Sequence, residues 1–251
     1  MKLTLPKLMI LIPGLGIGNT LTQIYLSRPN HIVIGSVRDE KSPELASLRS
    51  FPAAPNTKLI IVHIESASLS DPQKALSEIK AAGVDHIDVI IANAGGYPPV
   101  LPLETVSRQD LMSCFEVNAA APVLLFQTFK DLLRRAKSPK WAVISTSAGS
   151  IGSMGIIGSH FLPAYGASRA ALNWLTQSIH YTNEWLTVLP LHPGLVQTAQ
   201  GNWVANYVGL EQAPTTREDS ASSIVKVIDS ATRETTSGKF ISAVEGTEVP
   251  W

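Results

Sequence analysis

Short apolar runs alternate along this chain with longer segments in which apolar positions recur at helical spacing. The runs are Leu8–Ile12, Ile32–Ser36, Lys58–Ile64, Ile87–Ala92, Trp141–Ser145, Thr187–His192 and Lys239–Ser242. Several are dominated by Ile and Val with no polar alternation, the pattern of strands covered on both faces. Alternation with helix-length segments predicts βαβ units and an α/β fold: a doubly wound, parallel, seven-stranded sheet with helices on both faces. Asp71-Pro72 predicts an N-cap and a first-turn proline for a helix running to about Ala82. Ser107-x-x-Asp110 and Thr216-x-x-Asp219 resemble capping boxes with Asp in place of Glu. Further helices are expected from about Asn19, from Ser107 to about Ala136 with a kink at Pro122, and from about Ala164 to Glu184.

No internal repeat, low-complexity tract or linker interrupts this pattern, so residues 1–251 read as one domain. Two irregular stretches stand out, 148–163 and 194–215. Both follow strands at their carboxyl ends, where ligands bind in open parallel sheets. Met154 and Phe161 in the first, and Trp203 and Tyr207 in the second, are candidate substrate contacts or lid anchors, with a short helix core as the alternative for the latter pair. Tyr97, after the fourth strand, is a further candidate for the pocket wall.

Composition narrows the partners. Lys+Arg and Asp+Glu both total 20, which disfavours nucleic acid and anionic membranes. No apolar run approaches the roughly 18 residues of a membrane span. One cysteine, Cys114, excludes an internal disulfide and fits a reducing, cytoplasmic compartment, with a buried structural thiol the expected role. The histidines show no metal-ligand spacing.

The first strand runs into Gly14-Leu15-Gly16-Ile17-Gly18, then a helix. A strand, a glycine loop and a helix N-terminus form the usual cradle for a pyrophosphate. This spacing matches neither G-x-G-x-x-G nor the longer G-x-x-x-G-x-G form, so a tight turn that needs only glycine conformations stands beside phosphate binding.

Asn93-Ala94-Gly95, Asn118 in Phe-Glu-Val-Asn, Tyr165 in Tyr-Gly-Ala-Ser-Arg, and Pro193-Gly194 occur in one order on this strand pattern. As a set they closely resemble the short-chain dehydrogenase/reductase family over essentially the whole chain, which implies a Rossmann-like fold. The stretches 25–30 and 34–39 resemble the fungal ketoreductase branch typified by norsolorinic acid ketoreductase, which implies secondary metabolism. The resemblance implies a catalytic Ser, Tyr and Lys with a supporting Asn. Tyr is the acid/base, Ser orients the carbonyl, and Lys lowers the tyrosine pKa and holds the nicotinamide ribose.

Tyr165 and Asn118 match, and three positions depart. Arg169 stands where Lys is expected, four residues after Tyr165 and so on the same helix face. A guanidinium supplies a fixed charge and a fork of donors, but it cannot pass a proton on. Thr146 stands at the serine position when the motif is anchored on Gly149, and a one-residue shift makes Ser147 the active hydroxyl. The glycine loop is two residues short and begins at Pro13, which lacks a backbone donor. Arg38 after the second strand suits the 2′-phosphate of NADP, Glu65 stands where the family places an acid near adenine, and Asn93 would line the cofactor site. His160, five residues before Tyr165, is a candidate acid or base. Five other histidines are expected to be structural.

Three readings follow. One is an NADPH-dependent ketoreductase acting on a polyketide- or alkaloid-like carbonyl. The second is a family scaffold doing cofactor-independent acid/base chemistry (cyclisation, isomerisation or rearrangement) on a hydrophobic small molecule through Tyr165 and Arg169. The third is a non-catalytic binding scaffold. Two departures touch the residues that would place a nicotinamide, so the balance falls to the second reading, with no cofactor. A homo-oligomer, dimer or tetramer, is expected from the family habit of pairing through its long helices.

Overall fold

The computed structural model describes residues 8–13, 16–39, 41–96 and 100–251. Gly14 and Tyr97, both singled out above, lie outside them. Seven strands form one parallel sheet: β1 (Leu8–Pro13), β2 (His31–Val37), β3 (Lys58–His63), β4 (Val89–Ala92), β5 (Lys140–Ile144), β6 (Thr187–His192) and β7 (Ile241–Ser242). Their order is β3-β2-β1-β4-β5-β6-β7. The chain reverses direction across the sheet between β1 and β4, which opens a crevice at the carboxyl edge.

Neighbouring residues of one strand serve opposite layers. Ile34, Ile90, Val143 and Val188 pack with Phe126, Phe129, Leu133 and Leu172 on one face. Val33, Val89, Ala142 and Leu189 pack with Leu21, Tyr25, Ile224 and Ile228 on the other. That two-sided demand is why these strands carry unbroken apolar runs. The first layer comes from α3 (Asp71–Ala81), α5 (Ala121–Arg134) and α7 (Pro163–Thr182); the second from α1 (Ile17–Leu26) and α9 (Arg217–Ser230).

Local details depart from the sequence expectations. Asp71 is the first residue of α3, not its N-cap, and its carboxylate accepts the Glu65 N–H instead. Ser107 and Thr216 do cap α4 (Arg108–Phe115) and α9, each accepting an N–H three residues on at 3.0 Å. The Asp partners take the cap hydroxyl proton at 2.6 Å, a shorter reach than the cap backbone N–H would need. A helix over Pro43–Ser50 (α2), capped by Ser42, was not expected. The break expected at Pro122 appears one turn earlier as a π turn over Glu116–Ala120, with Pro122 seated in the first turn of α5. Proline has no N–H to give the carbonyl four residues back, so the chain changes register before it.

By length and mean hydropathy alone, 1.2, the run Arg108–Arg134 is comparable to a membrane-spanning helix, but charged residues such as Glu116 and Lys130 interrupt it and no apolar run within it approaches 18 residues, as expected from sequence. It buries Phe126, Phe129, Leu132 and Leu133 against the sheet as a core element. The irregular stretches contain short helices, α6 (Met154–Ile157) and α8 (Ala199–Tyr207), and two 3₁₀ turns, Ser147–Gly149 and Ser159–Phe161.

Candidate active site

At the carboxyl edge, the π turn, the loop after β4, the turn after β5 and the first half of α7 converge. Asn118 is fully buried in the π turn. Its Oδ1 accepts the Gly96 N–H at 2.8 Å, and its Nδ2 donates to Gly96 O and to Ser168 Oγ, each at 3.0 Å. Ser168 donates in turn to the Tyr165 carbonyl at 2.7 Å. Asn118 therefore ties the β4 loop to the turn of α7 that carries Tyr165. Cys114 is buried beside this network, and burial pushes its thiol pKa up, in keeping with the structural role expected.

Arg169 lies one turn beyond half-buried Tyr165 and is only 6% exposed. Its Cζ sits 5.1 Å from the centre of the Tyr165 ring, within cation–π range. Nη1 donates to the Ile144 carbonyl at 3.1 Å, while the buried Nε has no hydrogen-bond partner. Gly95 and Gly149 make room for this side chain. A Cβ on Gly95 would lie 2.1 Å from Nη2, and one on Gly149 would lie 2.7 Å from the arginine Cβ. The helical spacing predicted the shared face, and the structure adds the grip on Ile144.

Three successive hydroxyls follow β5, each held differently. Ser145 Oγ donates to Asn173 Oδ1 at 2.6 Å. Thr146 caps the 3₁₀ turn by accepting the Ala148 N–H at 3.2 Å. Ser147 donates its N–H to His192 Nδ1 at 3.2 Å, with its Oγ 3.4 Å from Nε2. Burial holds His192 well below the usual imidazole range, at about 4, against a weaker pull from Glu245. The ring is therefore neutral near pH 7, and an Nδ1 that accepts an N–H places the proton on Nε2, facing Ser147. Sequence reading assigned His192 a structural role and missed this contact. The signal was there: it ends the strand paired with β5, beside residues 145–147.

The other candidates divide. Asn93 is half-buried just after β4, beside Gly95. Gly16 ends the glycine loop as the N-cap of α1 with φ 67°, and its missing Cβ would meet Thr198 at 3.5 Å. Gly18 is buried inside α1, where its carbonyl accepts the Thr22 hydroxyl; it shapes the helix and not the loop. Arg38 is exposed, with Glu65 at 3.7 Å as its ion-pair partner. His160 is exposed on its 3₁₀ turn and stands outside the Tyr165–Arg169–Asn118 network among the described contacts. Met154, Trp203 and Tyr207 are also exposed, so the latter two are not the core of α8; Phe161, half-buried, stacks on Tyr207.

The parallel sheet, with this strand order, thus carries a phenol, a cation and three hydroxyls at its carboxyl edge, where ligands bind in Rossmann-type folds. The chain belongs to the short-chain dehydrogenase family, whose profile matches residues 9–206. It is 53% identical to the short-chain dehydrogenase srdF of Neurospora crassa, over 95% of this chain and 94% of that protein. It is 36% identical to the norsolorinic acid ketoreductase stcE of Emericella nidulans, over 94% and 90% respectively. The NADPH-bound carbonyl reductase from chicken fatty liver superposes with a TM-score of 0.85 at 25% identity, covering 98% of this chain and 95% of that one. These relatives side with the reductase reading and give no support to the cofactor-free cyclase or isomerase preferred on sequence. That preference rested on a few altered positions, whereas the match runs through the whole fold.

Proposed function

We propose that this protein is an NADPH-dependent ketoreductase acting on an uncharged, hydrophobic carbonyl compound of secondary metabolism. The observation that carries the reading is the buried Arg169 guanidinium stacked on the Tyr165 ring, beside the hydroxyls that follow β5. The named activities of the ketoreductase and carbonyl reductase relatives support it.

The residues present fit a dinucleotide. An apolar slot of about 430 Å3, including its open mouth, lies at the carboxyl ends of β3 and β4, lined by Ile64, Ala92, Ala94 and Val117 with Ser66 and Ser68. Tyr165 does not line it, so the slot suits the flat purine and not the reacting carbonyl. Arg38, whose ion-pair partner among the described residues is Glu65 at 3.7 Å, suits a 2′-phosphate. Gly16 and the N-terminus of α1, which has no acidic residue in its first turn, suit the pyrophosphate. Asn93 and the Tyr165–Arg169 pair would border the nicotinamide end. When bound, the nicotinamide supplies the hydride chemistry.

The chain itself handles the oxygen. In reduction the Tyr165 phenol gives its proton to the carbonyl oxygen, and in oxidation the phenolate takes it back. The Thr146 hydroxyl donates a hydrogen bond to the same oxygen, fixing which face of the carbonyl is presented. Arg169 offsets the negative charge left on the phenol oxygen. Because a guanidinium does not release a proton, the phenol is recharged from water and not through Arg169.

Self-association belongs to the same reading. Leu111, Met112 and Phe115 of α4, and Trp174 and Tyr181 of α7, are exposed on two helices that pack together. A second copy of this chain would cover them, and sedimentation velocity measures it.

The direct test is titration of the purified protein with NADPH, followed by nicotinamide fluorescence, and assay of Tyr165→Phe. Micromolar NADPH binding with turnover at least about a hundredfold lower in the variant is expected. Absence of NADPH binding at millimolar concentration would remove the reading.

A further inference from the structure

The β5–β6 ladder ends one residue before the hydroxyls that follow β5. Its last pair is Ile144 with Leu191, and the Ser145 N–H donates to the Leu191 carbonyl at 2.7 Å. In a parallel ladder alternate residues of one strand address the same neighbour, so the next N–H aimed at β6 is that of Ser147. Its regular acceptor would be the Pro193 carbonyl, which instead takes the Ser220 hydroxyl at 2.7 Å. The His192 carbonyl addresses β7, where it accepts the Ala243 N–H at 2.8 Å. No backbone acceptor of β6 is left for Ser147. A side chain supplies one: His192 Nδ1 accepts the Ser147 N–H at 3.2 Å.

Thr146 lies between these two anchors. Ser145 is held by the Leu191 carbonyl and Ser147 by the His192 ring, from adjacent residues of β6. Thr146 itself is extended, with φ −158° and ψ 146°, and its Oγ1 accepts the Ala148 N–H beyond the second anchor. A shift of Ser147 therefore moves the threonine hydroxyl with it. On its other side the turn is already closed against α7, where a Cβ on Gly149 would lie 2.7 Å from the Arg169 Cβ. Without the imidazole, the turn is free to move only away from the helix that carries Tyr165.

We propose that His192 is a positioning residue for reduction: its ring nitrogen replaces the absent strand acceptor, holds Ser147, and so fixes the Thr146 hydroxyl toward the reacting oxygen. The proposal rests on the reductase reading and on the role that reading gives Thr146. It predicts that the imidazole acts through Thr146 and not by general support of the fold.

The test compares His192→Asn, whose amide oxygen falls near the Nδ1 position, with His192→Leu and His192→Gln, which place no acceptor there. Thermal melts at pH 8 identify the folded variants, and either of the latter two suffices. Turnover of 1-tetralone and acetophenone is followed by NADPH consumption, and exchange of the Ser147 amide by NMR. His192→Leu or His192→Gln should lower kcat at least about tenfold with KM and the Kd for NADPH within about threefold. Exchange of the Ser147 amide should accelerate in the same variants. His192→Asn should retain kcat within a few fold and keep the amide protected. In a Thr146→Val background, replacing His192 should lower kcat less than about twofold further. Unchanged kcat or amide exchange in His192→Leu and His192→Gln, equal losses in His192→Asn, or a full further loss in the Thr146→Val background would overturn the proposal. Wild type that binds NADPH but reduces neither ketone would overturn it too. Failure to bind NADPH removes the reductase reading, while amide exchange still reports whether His192 holds the turn.

Discussion

Gly95 and Arg169 are a matched pair: a carbon added at Gly95 would lie 2.1 Å from Nη2 of the arginine. The absent side chain is the space that the guanidinium occupies, between the β4 loop and α7. Gly95→Ala therefore displaces the cation from the Tyr165 ring. It is expected to lower kcat at least about tenfold and to weaken the fold by the roughly 1–3 kcal/mol typical of overpacking. Arg169→Lys, a slimmer cation, should tolerate alanine at 95. The double variant should then fall short of the summed single effects by about 0.5–3 kcal/mol. Strict additivity in kcat and in denaturant midpoint would mean that the two residues do not share this space.

The three hydroxyls after β5 have different freedom, and that assigns their roles. Ser145 has given its proton to Asn173, and Ser147 faces His192. Among the described residues Thr146 accepts the Ala148 N–H and donates to no partner, so its own proton is available for a carbonyl oxygen. Thr146→Val, nearly isosteric, should lower kcat by about tenfold to a thousandfold, in the range seen for loss of one oxyanion donor. Thr146→Ser should retain activity within a few fold, and Ser147→Ala should cost little. A larger loss in Ser147→Ala than in Thr146→Val would reverse the assignment.

Periodicity carried most of the fold because burial on two faces leaves a plain mark: the apolar stretches Val89–Ala92 and Val188–Leu191 form β4 and the middle of β6, and the runs expected there, Ile87–Ala92 and Thr187–His192, fell on those strands within two residues. The shared face of Tyr165 and Arg169 was legible for a similar reason, being set by helix geometry alone. What Arg169 grips was not, since Ile144 and Gly95 reach it only through the packing of β5 and the β4 loop against α7. His192 was read as structural because its partner Ser147 lies 45 residues away and meets it only across the β5–β6 pair. The cofactor-free reading gave weight to the residues around Gly14–Gly18, where local spacing departs most from the family. It gave too little to the ordered motifs that extend over the remaining strands. The stacking of Phe161, Tyr207 and Trp203 was half visible: Trp203 and Tyr207 share a helix face by spacing, but Phe161 joins them from a separate segment.

His192 gives the fold a predictable acid sensitivity. Its native pKa of about 4, set chiefly by burial, lies below the ordinary value near 6.5. Above pH 6.5 neither folded nor unfolded chain carries a proton there, and the native state keeps its full advantage. As pH falls from about 6.5 towards 4, the unfolded chain binds a proton that the native site resists. Stability is lost by up to about 3 kcal/mol. His180, also lowered by burial and by Arg233, titrates in the same direction, so the informative quantity is the difference between wild type and His192→Asn. The Tm of wild type should fall by several degrees more than that of the variant between pH 7.5 and 4.5. Parallel Tm profiles would show that His192 stays solvated.

The segment Glu248–Trp251 buckles the loop that follows β5 to the end of the sheet. Ser150, fully buried, donates its hydroxyl to the Pro250 carbonyl, and the Gly152 N–H reaches the Trp251 carbonyl at 2.8 Å. The Trp251 ring lies 5.6 Å from Phe240, and Val249 N–H donates to Phe240 O at 2.7 Å, fixing the segment beside β7. These contacts fall shortly after Thr146 and Ser147, so they restrain the loop that carries both the hydroxyls and Phe161. Deleting Pro250 and Trp251 leaves a buried hydroxyl and an N–H unpaired, a cost of about 1–3 kcal/mol for each group that stays buried. Tm should drop by several degrees, KM for a ketone should rise severalfold, and kcat should change less, since Tyr165 and Arg169 are held by α7 and the β4 loop. Limited proteolysis should then cut preferentially within residues 150–160. Unchanged KM together with undiminished protection of that loop would show that the buckle does not govern substrate binding.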